Sequence, residues 1–259
     1  MSRNFELMQN LGKEHEMFHA ATAEATTTTY VEPIVSASQP IDVQPLQLKM
    51  EDSQRDEILK MVQRVFLMPG AAKSRTVVIS GMEAGNGCSW ITARMAEVLA
   101  AQITGSVCVV DANLRSPGLH REFGVPNHYG LTDALQVNDP VRRFVTSLSR
   151  PNLWLLSCGA ELEGMQTLLG SDRMRVLLPE LQREFDHVLI DAPPMESGDD
   201  PVMLSRNAEG IVLVLRANSS RRERARKAVR DLEAANVKVL GAVLNHRRFP
   251  VPEKIYRKL

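Results

Sequence analysis

Short apolar runs alternate with longer amphipathic stretches over most of this chain. Six runs rich in valine, isoleucine and leucine predict strands at 75–80, 106–111, 153–157, 186–191, 211–216 and 237–245. Their hydrophobicity is nearly continuous, which is typical of strands covered on both faces. Amphipathic stretches at 89–102, 171–184 and 219–234 predict helices between them. The alternation predicts an α/β fold with a doubly wound, mostly parallel sheet and right-handed crossovers.

The first 50 residues depart from this pattern. Four apolar side chains at helical spacing predict a short helix over about residues 4–19: Phe5, Met8, Leu11 and Phe18. Three prolines in the stretch that follows are typical of a linker. A second amphipathic helix is expected from Glu51 until Pro69 and Gly70 end it. We therefore expect a helical, flexible N-terminal extension over 1–50 and one folded domain over 51–259.

Composition narrows the class of protein without naming a function. The 259 residues are 44% hydrophobic and 24% charged, which is ordinary for a globular protein. The three cysteines have no metal-ligand spacing and are too few for a disulfide framework, so a reducing cytosol is expected. No apolar run reaches the roughly 18 residues of a membrane span, and the N-terminus lacks an apolar signal core. We expect a chain that is neither membrane-spanning nor secreted.

Charge is unevenly distributed although the formal net charge is zero. Residues 216–259 carry 13 basic and 4 acidic side chains, a net charge of +9. Such a basic end favours contact with phosphate, nucleic acid or an anionic lipid surface. The alternative is a solvated helix face without a ligand.

The turn after the first predicted strand is rich in glycine. Its sequence, GMEAGNGCS over residues 81–89, leads directly into a predicted helix. Glycines let backbone N–H groups converge, and the helix N-terminus adds partial positive charge. The turn therefore predicts a phosphate cradle; a tight connection without a ligand is the alternative. The residues expected to bind nucleotide are Gly85, Asn86, Gly87, Cys88, Ser89 and Trp90.

One residue type that phosphate loops need is missing from this turn. A working loop has a lysine immediately before the hydroxyl residue that binds Mg²⁺, and here Cys88 precedes Ser89. Losing a charge-assisted contact weakens binding by roughly 1.5–3 kcal/mol. Cys88 at a helix N-terminus also leaves a reactive thiolate of lowered pKa as an alternative. Trp90 is expected to be a buried filler, with a narrowed phosphate site as the alternative.

A series of further motifs follows in order along the chain. They are VVDANLRSP at 109–117, LWLL at 153–156, FDHVLIDAPP at 185–194 and GAVLN at 241–245. Together with the glycine-rich turn they resemble the cytoplasmic ATPase domain of bacterial tyrosine autokinases of capsular and exopolysaccharide biosynthesis. These proteins are related to the partitioning and septum-site P-loop ATPases. The resemblance covers about residues 51–247 and implies a P-loop NTPase-like fold.

The resemblance implies roles for individual residues. Asp111 would be the first aspartate of the family's additional acidic motif and a catalytic residue, whereas Asn113 stands where the second aspartate is found. Ser89 and Asp191 would hold Mg²⁺, and Asn245 would contact adenine. ATP or ADP with Mg²⁺ are the cofactors implied, bound weakly because Cys88 replaces the lysine.

Two losses in one site favour a catalytically impaired copy, because phosphoryl transfer depends on positioning and on neutralising charge. The main hypothesis is a regulator of exopolysaccharide biosynthesis and export. It would associate with a membrane chain-length-determinant-type polysaccharide co-polymerase and lie in the cytoplasm, peripherally at the inner membrane. Tyr256 is the single tyrosine near the C-terminus, so the tyrosine cluster that such kinases phosphorylate is not found. Whether the chain is an enzyme is left open.

Two alternatives remain. One is an active ATP-dependent protein-tyrosine autokinase that compensates for the losses, with Arg115 as the nearest candidate cation. The other is a partitioning- or positioning-type ATPase that binds DNA or membrane, although nucleic acid is not the favoured partner. A homo-oligomer is also considered, because Glu57 and Lys60 match part of a Glu-x-x-Arg-x-x-Arg oligomerisation motif; Gln63 breaks the match.

Overall fold

The computed structural model describes residues 50–68, 75–160 and 164–247. The predicted helix over 4–19, the linker after it and Tyr256 lie outside these ranges. The division into an extension over 1–50 and a domain over 51–259 therefore stays a prediction.

The described ranges form one seven-stranded sheet. Its order is β3-β4-β2-β5-β1-β6-β7, and every pairing is parallel except that of β3 with β4. The strands are β1 (Thr76–Gly81), β2 (Val107–Asp111), β3 (Thr146–Ser147), β4 (Leu153–Leu156), β5 (His187–Ala192), β6 (Gly210–Arg216) and β7 (Val239–Asn245). The doubly wound, mostly parallel sheet predicted from the sequence is confirmed.

Seven α-helices accompany these strands in the described ranges; the first precedes β1, and the others lie between strands. They are α1 (Asp52–Val62), α2 (Cys88–Gln102), α3 (Leu119–Phe123), α4 (Leu131–Gln136), α5 (Asp172–Glu184), α6 (Asp200–Ser205) and α7 (Arg222–Ala234). The three predicted inter-strand helices match α2, α5 and α7, with starts displaced by one to three residues. Short 3₁₀ turns lie at Val141–Arg143, Met165–Gly170 and Met195–Ser197.

Two hydrophobic clusters lie on opposite faces of the sheet. One contains the buried residues of α1, α2 and α3, and the other those of α4, α5, α6 and α7. Alternate residues of the central strands enter alternate clusters: Val77 and Ile79 pack with α2, whereas Val78 packs on the other side. All six residues of β1 are buried. Continuous apolar runs form these strands because both faces are covered.

Helix α1 continues as a π-helical turn over Gln63–Leu67. Ile58, Val62 and Phe66 are buried against the sheet, as their helical spacing predicts. Glu57 and Lys60 instead form an exposed ion pair of 2.8 Å with each other. The helix predicted from Glu51 is therefore confirmed, and a homo-oligomer stays a prediction.

The strand β7 departs from expectation. Its sequence predicts a strand covered on both faces, but none of its seven residues is buried, and Ala242 and Leu244 are exposed. It lies at one edge of the sheet, where it pairs with β6 alone among the described strands. Because β7 is an edge strand, its side chains are less buried than its apolar sequence predicts.

No helix in the described ranges combines the length and the apolar composition that crossing a membrane requires.

Candidate functional site

The carboxyl ends of β1, β2 and β5 meet at one edge of the sheet, where ligands bind in folds of this kind. Asp191 on β5 is the register partner of both Ile79 on β1 and Asp111 on β2. Adjacent strands lie about 4.8 Å apart, so two carboxylates sit side by side at this edge. Both aspartates are fully buried. The structure thus brings together two acidic residues that lie 80 positions apart in the sequence.

The glycine-rich turn joins β1 to α2, as predicted. Gly85 and Gly87 have φ angles of 76° and 80°, in the left-handed region that glycine adopts without strain. A Cβ atom on Gly87 would also collide with the side-chain amide of Asn245. Gly87 directly precedes Cys88, the first residue of α2. The first N–H groups of a helix have no intrahelical acceptor and are available to an anion.

Hydrogen bonds hold this turn in place from outside. The Asn86 amide donates to the carboxylate of Glu83 at 3.1 Å and to the carbonyl oxygen of Val214 at 3.1 Å. The Ser220 hydroxyl donates to the same Glu83 oxygen at 2.6 Å. The N–H of Ala84 donates to Glu196 at 2.9 Å. The amide of Asn86 is therefore part of the scaffold, which leaves its backbone as the group available to a nucleotide.

Cys88 lies at the position where lysine is expected, and its thiol faces Asp191. Burial raises the pKa of the Cys88 thiol well above its usual range, and the Asp191 carboxylate raises it further. Both effects favour the neutral form of the thiol. These two effects oppose the lowered pKa that a reactive thiolate at this helix N-terminus needs, and the reactive thiolate stays an untested alternative.

Asp191 has an oxygen without a partner. Its Oδ1 accepts a hydrogen bond from the Thr92 hydroxyl at 3.4 Å, while its Oδ2 is buried and has no hydrogen-bond partner among the described residues. Burial raises the pKa of Asp191, against the lowering effect of the nearby Ser89 hydroxyl and Cys88 thiol. Ser89 and Asp191 are thus adjacent, as the implied Mg²⁺ site requires. A buried carboxylate oxygen without a partner fits a hydrated divalent cation.

Asp111 shapes the loop that follows β2. Its Oδ2 accepts hydrogen bonds from the N–H groups of Gly118 (3.0 Å) and Leu119 (2.9 Å), and its Oδ1 from that of Asn113 (3.3 Å). Burial raises the pKa of Asp111, and the charge of Asp191 adds to this effect. These contacts give Asp111 a positioning role, and its catalytic role stays a prediction.

Asn113 and Arg115 lie in the same loop. The Oδ1 atom of Asn113 is buried and has no hydrogen-bond partner among the described residues. Arg115, considered as a replacement for the lysine, is exposed. Burial raises the pKa of Asp200 at the start of α6, and the charge of Arg115 partly offsets this rise.

Asn245, at the end of β7, reaches the glycine-rich turn. Its Nδ2 donates to the carbonyl oxygen of Asn86 at 2.8 Å, and its Oδ1 accepts from the N–H of His246 at 2.8 Å. The amide thus ties the end of β7 to the turn. The structure places Asn245 beside the other candidate residues, and contact with adenine stays a prediction.

A buried arginine beside the turn is absent from the sequence-based candidates. Arg94 on α2 is 6% exposed, and its Nη1 lies 2.7 Å from Oε2 of Glu122 on α3. Its guanidinium lies 4.8 Å from the ring centroid of Trp90, which is half-buried and packs on the core. The sequence-based expectation for Trp90 was a buried side chain, whereas the structure shows it half-buried. The sequence signal for this cluster is one arginine within the apolar stretch of α2.

Comparison with known proteins identifies the family. Over 174 residues the chain is 32% identical to the tyrosine-protein kinase YwqD of Bacillus subtilis strain 168, covering 67% of this chain and 73% of that protein. This chain belongs to the bacterial tyrosine-protein kinases. It is also 27% identical over 195 residues to the tyrosine-protein kinase Ptk of Acinetobacter johnsonii, covering 75% of this chain. It spans 26% of the length of that longer relative. No family model matches the chain.

Solved structures agree with this membership of the tyrosine-protein kinase family. The chimerical protein CapA2B2 superimposes with a TM-score of 0.71 at 25% identity, covering 77% of this chain and 87% of that one. The septum site-determining protein MinD of Pyrococcus horikoshii, complexed with Mg-ADP, gives a TM-score of 0.58 at 22% identity. It covers 71% of this chain and 76% of that one, and it shows the fold alone. The P-loop NTPase-like fold implied by the sequence motifs is confirmed.

Proposed function

We propose that this tyrosine-protein kinase family member binds ATP or ADP with Mg²⁺ and is impaired in phosphoryl transfer. The observation that supports impairment is that Cys88, beside Asp191, is the first residue of α2 after Gly87, at the position where a lysine would meet the phosphates. Phosphoryl transfer depends on neutralising charge that develops on the phosphate oxygens, and a thiol supplies none. Asn113 adds to the loss, because an amide neither acts as a base near pH 7 nor supplies charge to a metal.

The parts of the site that bind rather than react support retained nucleotide affinity. Gly85 and Gly87 have positive φ angles, and glycines in such a turn let backbone N–H groups converge on an anion. Ser89 and Asp191 would hold Mg²⁺, and the partnerless Oδ2 of Asp191 is the observation that fits the ion. When bound, the ion would neutralise phosphate charge. Two proteins that share only the fold with this chain were solved with nucleotide: MinD of Pyrococcus horikoshii with Mg-ADP and McdA of Cyanothece with ATP.

In this proposal the protein acts through association. The resemblance to autokinases of exopolysaccharide biosynthesis suggests a membrane chain-length-determinant-type co-polymerase as the partner and a place at the inner membrane. Co-purification of the full chain with such a co-polymerase, in the presence and absence of ADP, tests this part separately. Loss of co-purification under both conditions would contradict it.

An active protein-tyrosine autokinase is the second candidate. The names of the relatives favour it, because proteins 27–32% identical to this chain are tyrosine-protein kinases. Asp111, Ser89 and Asp191 are all present in the arrangement described above. The two candidates differ in one measurable property, which is phosphate transfer to tyrosine.

The deciding experiment combines isothermal titration with a phosphotyrosine assay. We expect ATP and ADP to bind in the presence of Mg²⁺, with no phosphotyrosine above the level of the Asp191→Asn variant. Restoring Cys88→Lys together with Asn113→Asp should tighten ATP binding about tenfold or more, since a charge-assisted contact contributes roughly 1.5–3 kcal/mol. Strong labelling of the unmodified chain that Asp191→Asn abolishes would establish the autokinase instead.

A further inference from the structure

An open groove lies between α7 and the strands β6 and β7. Its volume is about 550 Å³, and its floor is apolar, formed by Leu213 and Leu215 of β6 and Ala242 of β7. Ala225 and Val229 of α7 form its wall. It lies on the face of the sheet that α7 covers, and the residues of the nucleotide site do not line it.

The groove exists because α7 covers the sheet incompletely. Only Ala228 and Leu232 of its thirteen residues are buried. Leu244 is the register partner of Leu215, and alternation along the strand places it on the same face as Ala242. Its side chain is 56% exposed, so it extends the apolar floor. An apolar surface of this kind at a sheet edge favours contact with a partner.

Three arginines form the rim of the groove. Arg222, Arg226 and Arg230 follow one another at intervals of one helical turn, which spaces them over about 12 Å. Each is exposed, and none forms a salt bridge or a side-chain hydrogen bond with another residue in the described ranges. Lys227 on the same helix, by contrast, pairs with Asp231 at 3.0 Å. Three cations that form no ion pair within the described ranges therefore border an apolar floor.

We propose that this groove binds an acidic amphipathic helix of a partner protein. Carboxylates one helical turn apart on that helix would match the three arginines, and an apolar stripe beside them would cover the floor. Nucleic acid would leave the apolar floor uncovered. Residues 248–259 of this chain carry four basic and one acidic side chain, so their charge does not complement the rim.

The test uses the full chain and a phage-displayed library of random 16-residue peptides. We expect enriched peptides to combine acidic and apolar residues at helical spacing. A fluorescein-labelled copy of one such peptide is then titrated with the chain by fluorescence anisotropy. Replacing Arg222, Arg226 and Arg230 together by glutamate should weaken its binding by about tenfold or more, because like charges then face each other.

A matched control separates the groove from general charge. The triple variant Arg221→Glu, Arg224→Glu, Lys227→Glu changes the net charge equally, on α7 and the residue before it, at residues that do not line the groove. It should leave the peptide affinity within about threefold, as expected for charges outside the contact. The variant Ala242→Phe, which fills the floor and keeps every charge, should weaken binding as the arginine variant does.

Several results would overturn the proposal. They are enriched peptides without acidic residues, no enrichment at all, and equal losses in the two triple variants. Binding of anionic phosphatidylglycerol vesicles or of random-sequence duplex DNA that requires the three rim arginines, without peptide binding, would also overturn it. Self-association that the rim variant abolishes, measured by analytical ultracentrifugation, would replace the partner protein by a second copy of the chain.

Discussion

The ion pair of Arg94 with Glu122 offers the sharpest test of what holds the site together. It joins α2, which begins at the glycine-rich turn, to α3, whose first N–H groups bind Asp111. The perturbation is Arg94→Met, which keeps the length of the apolar stem and removes the charge. It leaves the Glu122 carboxylate without its partner, close enough to Asp191 to raise the pKa of that carboxyl.

The magnitude follows from the exposure of the two side chains. Breaking a fully buried ion pair costs about 3–5 kcal/mol, because the remaining charge is left uncompensated. The Arg94 side chain is 7% exposed, but that of Glu122 is 27% exposed and regains part of its hydration when alone. We therefore expect Arg94→Met to lower the free energy of unfolding by about 2–3 kcal/mol, a shift in Tm of about 5–10 °C.

The assay is urea unfolding followed by circular dichroism, run as a double-mutant cycle. Glu122→Leu alone leaves the arginine unpaired, whereas Arg94→Met with Glu122→Leu replaces the pair by apolar groups. The double variant should recover at least about 1 kcal/mol relative to the sum of the single effects. Arg143→Met is the matched control, because its ion pair with Asp139 is 2.6 Å long but about half exposed. It should cost less than about 0.5 kcal/mol.

Two results would refute this reasoning. One is a decrease in the free energy of unfolding for Arg94→Met that is no larger than the decrease for Arg143→Met. The other is strict additivity in the cycle, which would mean that the two charges do not depend on each other.

Three further predictions concern the surroundings of the site. Gly87→Ala should lower both Tm and nucleotide affinity, because the positive φ of this residue and its contact with the amide at the end of β7 both resist a Cβ atom. Gly85→Ala is the control: its φ is similar but it has no neighbour within 4 Å, so it should cost only about 1 kcal/mol of stability. Equal losses of stability in the two variants would contradict this. Ser80→Ala should cost about 1–2 kcal/mol in urea unfolding, because its buried hydroxyl donates to a backbone carbonyl oxygen at 2.6 Å; no change would contradict this. The backbone N–H and hydroxyl of Ser106 lower the pKa of the exposed Asp186 carboxylate. This carboxylate therefore stabilises the fold above its unfolded pKa of about 3.9. That stabilisation is lost as the pH falls through the lower pKa of the folded state. When Tm is measured over a series of pH values, Asp186→Asn should reduce the fall in Tm at acidic pH.

The strands could be predicted from the sequence because burial on both faces imposes continuous apolar runs. The six predicted strands lie within one or two residues of those observed. The strand β3 escaped prediction because two residues at an antiparallel edge carry no periodic signal. The helices α3 and α6 have five and six residues, less than two turns, which is too short for helical spacing to be recognised.

The candidate site likewise contains some features that could be predicted from the sequence and others that could not. The turn from Gly85 to Ser89 could be found because its chemistry is local in sequence. The raised pKa of the Cys88 thiol could not, because it depends on burial in the folded chain and on Asp191, which lies more than 100 positions away. Arg94 could not be found either, since one charged residue in an apolar helix predicts an exposed side chain until its partner on α3 is known.

The carboxylate of Glu83 links the nucleotide turn to the start of α7, so that binding at one can affect the other. One of its oxygens accepts hydrogen bonds from Asn86 in the nucleotide turn and from Ser220, two residues before α7. A ligand that displaces the start of α7 must therefore either break or carry with it a bond to that turn. By thermodynamic reciprocity, any factor by which such a ligand changes nucleotide affinity is the factor by which nucleotide changes the affinity of the ligand. Ser220→Ala would uncouple the two events without touching either binding surface.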